Sequence, residues 1–95
     1  MEDRREEKRK EISLDVRWEG GHARLNDLSL GGCYIDSLGQ VSVGEIVSLE
    51  IKLPDGRWLP LRGTVAYCQP GLGFSVCFTF LTDEEQDRLS EIIDQ

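Results

Sequence analysis

Apolar and polar residues alternate along several short segments of the chain, which is the pattern of strands that bury one face. The first such segment covers residues 12–18 and is followed by two glycines suited to a tight turn. The clearest covers residues 46–53, where every second side chain from Val47 onward is apolar. Pro54-Asp55-Gly56 follows it and predicts a hairpin turn, because proline presets φ and glycine accepts positive φ.

Four further strands are predicted from shorter versions of the same pattern, at residues 23–28, 33–35, 57–68 and 72–80. The strand at 57–68 is expected to be broken or bent near Pro60 and Gly63, because both residues disturb regular pairing. Closing six short antiparallel strands into a barrel would leave no open sheet edge.

The last segment has helical character instead. Thr82 and Glu85 have the spacing of a capping box, and Leu89, Ile92 and Ile93 fall on one face of a helix. A helix is therefore predicted from about 82 to 94, with this face packed on the sheet. The predicted fold class is all-β with one C-terminal α-helix, built as a six-stranded antiparallel β-barrel.

Size and composition indicate a single soluble domain. The chain has 95 residues, of which 39% are hydrophobic and 31% charged. No apolar run is long enough to cross a bilayer, and the charged N-terminus does not resemble a secretory signal, so we expect a cytoplasmic protein without membrane insertion. The three cysteines form no CxxC pair and are expected to be reduced core residues, and the lone His22 gives no metal site.

The charges are unevenly distributed. Residues 1–10 hold five basic and four acidic side chains, whereas the rest of the chain holds six basic and fourteen acidic ones. A general DNA or RNA binder needs a broad basic face, which this chain lacks, so we expect no nucleic-acid partner. A small anion held by a few arginines remains compatible with the pattern.

No arrangement of residues indicates catalysis, and we expect the protein not to be an enzyme. Ser29 has no histidine in a recognisable motif, Cys33 has no evident base, and the carboxylates show no paired spacing for acid–base chemistry.

Two motifs in this order carry a family resemblance. Arg4-Arg5-Glu6-Glu7-Lys8-Arg9 is followed, one predicted hairpin later, by Asp27-x-Ser29-x-x-Gly32. This combination resembles the PilZ domain family, whose signature is RxxxR followed by (D/N)x(S/A)xxG. The resemblance extends over almost the whole chain, including Gly73-Phe74 and the closing helix. It implies a six-stranded barrel with a C-terminal helix that binds cyclic di-GMP, a bacterial second messenger, and needs no cofactor.

The resemblance also implies a set of ligand-binding residues. Arg5 and Arg9 match the two family arginines, and guanidinium groups can grip a phosphate or the Hoogsteen edge of guanine. Asp27 and Ser29 would meet the guanine, while small residues beside them let the backbone approach the ligand. An aromatic residue stacks on guanine in some relatives, and Tyr67 is the nearest candidate here. The implied site is Arg4, Arg5, Arg9, Asp27, Ser29, Gly31, Gly32 and Tyr67.

The resemblance suggests a division into a flexible N-terminal arm, residues 1–10, and a barrel with its helix, residues 11–95. Binding would order the arm and create a surface for an unidentified protein partner. In the family, an arginine directly before RxxxR accompanies capture of a stacked ligand dimer, and Arg4 holds that place. Glu6 and Glu7 would oppose the ligand's charge.

Other interpretations remain open. The N-terminal charges are also typical of a solvated helix, and Asp27 to Gly32 is also typical of a plain turn. The main alternative function is a PilZ-like protein-interaction module, associated with motility or pilus assembly, that binds the nucleotide weakly or not at all. The complete set of motif residues favours the receptor.

Overall fold

The computed structural model describes residues 9–94. It contains seven strands and one helix, which are β1 (Arg9–Lys10), β2 (Leu14–Trp18), β3 (Gly21–Ser29), β4 (Gly32–Asp36), β5 (Ile46–Lys52), β6 (Trp58–Gln69), β7 (Gly73–Phe78) and α1 (Asp83–Ile93).

Six of the strands close into an antiparallel barrel. Their order around the barrel is β2, β5, β6, β7, β4, β3, and β3 completes the circle by pairing with both β4 and β2. The predicted fold class is confirmed. β1 is an additional strand that pairs with the last two residues of β3. It lies along the same edge of β3 as β2, which pairs with the first five residues of that strand.

The barrel interior is filled by the alternate side chains that the sequence pattern assigned to it. On β5, for example, Val47, Leu49 and Ile51 are buried while their neighbours face outward. The buried face of α1 joins the same core through Leu89, Ile92 and Ile93.

Helix α1 begins with the predicted capping box. The Thr82 hydroxyl accepts a hydrogen bond from the Glu85 amide at 3.1 Å, and the Glu85 carboxylate accepts one from the Thr82 amide at 3.0 Å. Two amides that the first helical turn would leave without partners are thereby satisfied. Within residues 9–94, no helix is both long and apolar enough to span a membrane.

The predicted break near Pro60 and Gly63 does not occur. β6 runs continuously through both residues, and its register irregularity lies between Val65 and Tyr67. The Leu53 amide donates a hydrogen bond to the Arg57 carbonyl at 2.7 Å, so these two residues form a hydrogen-bonded pair. Such pairs alternate with non-hydrogen-bonded pairs along an antiparallel ladder, and Glu50 and Pro60 form one of the latter. Proline at position 60 therefore removes no hydrogen bond between β5 and β6.

Candidate ligand-binding groove

An open groove of about 480 Å³ is lined by residues of β1, β3, β4 and β7 and of the turn between β3 and β4. It contains five of the eight residues of the predicted site, which are Arg9, Asp27, Ser29, Gly31 and Gly32. Its lining consists of Arg9, Asn26, Asp27, Leu28, Ser29, Gly31, Gly32, Cys33, Tyr34, Ser75, Val76 and Cys77.

A β-bulge in β3 shapes one wall of this groove. Leu25 pairs with Ile35 and Asp27 pairs with Tyr34, so Asn26 is an extra residue opposite β4. The extra residue resets the alternation of side chains. Leu25 and Leu28 are both buried, while Asn26 and Asp27 between them both line the groove.

Arg9 and Asp27 form an ion pair across the groove. β1 aligns Arg9 with Ser29, and the Arg9 guanidinium donates a hydrogen bond to the Asp27 carboxylate. The Arg9 side chain remains 70% exposed and that of Asp27 27% exposed. Exposed ion pairs are weak, so this carboxylate can exchange its partner for a ligand at little cost.

Ser29 organises the turn at the base of the groove. Its side-chain oxygen accepts hydrogen bonds from the amides of Gly31 at 3.1 Å and Gly32 at 3.2 Å, and the residue is 8% exposed. The hydroxyl is therefore already engaged with the backbone, and its main effect is to fix the loop that follows Asp27.

Gly32 is required by strand packing. A Cβ atom at this position would lie 2.0 Å from the Val76 carbonyl oxygen, so no larger residue fits between β4 and β7 here. The neighbouring Gly31 carbonyl accepts a hydrogen bond from the Phe78 amide at 2.9 Å. The two glycines hold the turn against β7, in addition to any contact with a ligand.

The cysteines differ from the sequence prediction in one respect. Cys33 is buried, and burial together with the nearby Asp27 carboxylate raises the pKa of its thiol to about 12. It is therefore a neutral core residue. Cys77, by contrast, is exposed and lines the groove, so its assignment to the core is wrong.

Tyr34 is a groove residue that the sequence reasoning missed. It follows Gly32 by two positions on β4, so the alternation of a strand places both on the outer face. Its position next to Asp27 in the sheet depends on the pairing of β3 with β4, which a single segment does not reveal.

The remaining predicted residues lie outside this lining. Tyr67 is 55% exposed and pairs with Ser75, a groove residue, from the neighbouring strand β6. Arg4 and Arg5 fall outside the described residues. Among residues 9–94, no group of three or more His, Cys, Asp or Glu side chains is placed to hold a metal ion.

A family model describing the PilZ domain matches residues 3–95. The chain belongs to the PilZ domain family. PilZ domains are binding modules that include receptors for cyclic di-GMP. The PilZ match covers both motifs as well as the barrel and helix.

Comparison of structures gives the same fold. The Bacillus subtilis inhibitor of motility MotI/DgrA matches with a TM-score of 0.82 and 20% identity over 98% of this chain, which spans 50% of that protein. The PilZ domain of CeSA from a cellulose-synthesizing bacterium matches with a TM-score of 0.64 and 19% identity, over 90% of this chain and 94% of that domain. No curated protein matches the sequence.

Proposed function

We propose that this PilZ domain is a receptor for cyclic di-GMP and binds it in the groove described above. The observation that carries the proposal is the approach of Arg9 to Asp27 beside the turn formed by Ser29, Gly31 and Gly32. Membership of the PilZ family supports it.

The two charged residues suit the two kinds of group that the ligand offers. Arg9 is mostly exposed and has donors left for a phosphodiester oxygen or for O6 and N7 of guanine. Asp27 is an acceptor for the N–H groups on the Watson–Crick edge of guanine. Binding would replace their mutual ion pair with contacts from each residue to the ligand.

The arginines before β1 would complete the site. Arg5 precedes Arg9 by four residues, which an extended chain spans in about 13 Å. Since β1 fixes Arg9 beside the groove, the chain is long enough for Arg5 and Arg4 to reach it on binding. The proposed ordering step on binding therefore concerns residues before Arg9, and the ordered segment would present a surface to a protein partner. Arg4 favours a stacked pair of ligand molecules.

A second candidate is an interaction module that acts in motility without depending on the nucleotide. It is favoured by the likeness to the inhibitor of motility MotI/DgrA over nearly the whole of this chain. The approach of Arg9 to Asp27 in the groove has no evident use in such a module. Ligand binding therefore separates the two candidates.

Titration calorimetry of the full chain with cyclic di-GMP tests the proposal. We expect saturable heat, with two nucleotides per chain if a stacked pair binds. Arg9→Ala or Asp27→Ala should weaken binding by roughly 10- to 100-fold, because each removes a charge-assisted hydrogen bond.

The β5–β6 hairpin supplies matched controls. Arg57 and Asp55 also form an exposed ion pair, at 3.3 Å, with neither residue in the groove. Arg57→Ala and Asp55→Ala should bind like the wild type. A flat trace from the wild type would reject the receptor and leave the interaction module. Equal loss in all four variants would show that the effect is general electrostatics and not this site.

A further inference from the structure

We infer that Tyr34 is a stacking platform for a guanine base in the groove, and therefore a specificity-determining residue of the site. This inference rests on the proposed function, since it names the surface that the base would contact. Three features of the structure support it: the position of the ring, the way in which the ring is fixed, and its relation to Asp27.

The outer part of the Tyr34 ring lies against the β7 backbone at Gly73. A Cβ atom on Gly73 would be 2.8 Å from Cε1 and 3.1 Å from Cζ of Tyr34, so the ring rests on the β7 backbone where a side chain is missing. Tyr34 itself pairs with Ser75, and the ring therefore leans along β7 toward Gly73. Gly73 lies against one side of the ring, and Tyr34 as a whole is only half-buried, so part of the ring remains available to a ligand.

The ring is also held in this orientation. The Tyr34 hydroxyl donates a hydrogen bond to Oε1 of Gln69 on β6, so the side chain spans β7 from β4 to β6. Desolvation, with the nearby Asp36 carboxylate, raises the pKa of the Tyr34 hydroxyl above its ordinary value, so the hydroxyl is a donor at neutral pH with or without this shift. A ring fixed before binding loses little conformational entropy when a base stacks on it.

Asp27 is the direct neighbour of Tyr34 on the adjacent strand. Side chains paired in this way have Cβ atoms about 5 Å apart. The Tyr34 ring extends from β4 over β7, on the side away from β3, so a guanine whose Watson–Crick edge meets the Asp27 carboxylate would extend across β4 toward this ring. Edge recognition and face recognition of one base are thus supplied by two adjacent strands. Tyr67 lies one strand beyond Ser75 and is further from Asp27.

The experiment compares side chains at position 34 by titration with cyclic di-GMP. Tyr34→Leu removes the aromatic face and should weaken binding at least about fivefold, the lower end of the range for stacking of one base. Tyr34→Phe keeps the face and should retain binding within about twofold. Tyr67→Leu is the matched control on the neighbouring strand and should change affinity less than Tyr34→Leu. Thermal unfolding of each variant shows whether it is folded.

A purely structural tyrosine would not contact the ligand, so a second measurement uses the wild type alone. We expect nuclear Overhauser effects between the Tyr34 ring protons and a guanine H8 proton in the complex, with an upfield shift of that H8 signal. Binding by the wild type without these effects, or equal affinity in Tyr34→Leu, would overturn the inference and leave the receptor intact. Absence of binding by the wild type would overturn both.

Discussion

Replacing Gly32 by alanine tests whether this motif glycine serves the barrel itself. The added Cβ would lie 2.0 Å from the Val76 carbonyl oxygen and 3.1 Å from the carbonyl carbon, both backbone atoms that no side-chain rotation can move. Since real Cβ atoms essentially never approach another atom within 3.0 Å, β4 and β7 must separate. A separation of about 1 Å is enough to take ladder hydrogen bonds beyond their normal range.

The magnitude follows from two contributions. Overpacking costs about 1–3 kcal/mol, and each weakened backbone hydrogen bond near Gly31 and Gly32 adds about 1 kcal/mol. We expect the free energy of unfolding to fall by about 2–4 kcal/mol, out of roughly 5–14 kcal/mol for a domain of this size. The variant should still fold, with a Tm lower by about 10 to 25 °C.

Thermal and urea unfolding without ligand measure this effect. Gly56→Asn is a suitable control, because a Cβ at this turn position meets nothing within 4 Å and asparagine accepts the positive φ of 93° more readily than most residues. Its stability should fall less than that of Gly32→Ala. If Gly32→Ala unfolds at the wild-type temperature and loses only ligand affinity, the structural explanation of this glycine is wrong.

Three other predictions concern the helix cap, a buried thiol and the groove charge. Thr82→Ala should lower the free energy of unfolding by about 1 kcal/mol, while Thr82→Ser should not, because only the hydroxyl caps the amide of Glu85; urea unfolding at neutral pH measures both. Burial favours the neutral thiol of Cys33, so the contribution of this thiol to the free energy of unfolding is fully present below pH 9. That contribution is lost between pH 9 and about 12, by up to about 1.4 kcal/mol per pH unit. Unfolding in phosphine reductant should show this slope reduced in Cys33→Val, and identical slopes would contradict the assignment. Added sodium chloride should weaken cyclic di-GMP binding, and the affinity of Arg9→Ala should depend less on salt concentration than that of the wild type. Calorimetry at several salt concentrations measures both. A salt dependence unchanged by that substitution would show that Arg9 does not contact the charged ligand.

The general architecture could be predicted because its signals are local. Alternation along β5 and the capping box at Thr82 each depend on residues within one segment. The association of Asp27 with Gly32 is likewise local, since a single turn connects them. Cys77 was misassigned because its short strand contains apolar residues on both faces.

The details that shape the groove depend instead on pairing between distant segments. The bulge at Asn26 appears only when β3 is aligned with β4. The need for glycine at position 32 comes from β7, and the orientation of Tyr34 comes from Gly73 and Gln69, which are more than thirty residues away. No pattern within one strand contains this information.

The location of the ligand site is tested most directly by amide NMR during titration of the full chain with cyclic di-GMP. The account predicts that resonances of Arg9, Lys10, residues 26–34 and residues 75–77 shift or broaden until saturation, while those of residues 54–57 on the β5–β6 hairpin do not. Saturable binding that leaves the groove resonances unchanged, or that shifts only residues elsewhere on the barrel, would contradict it.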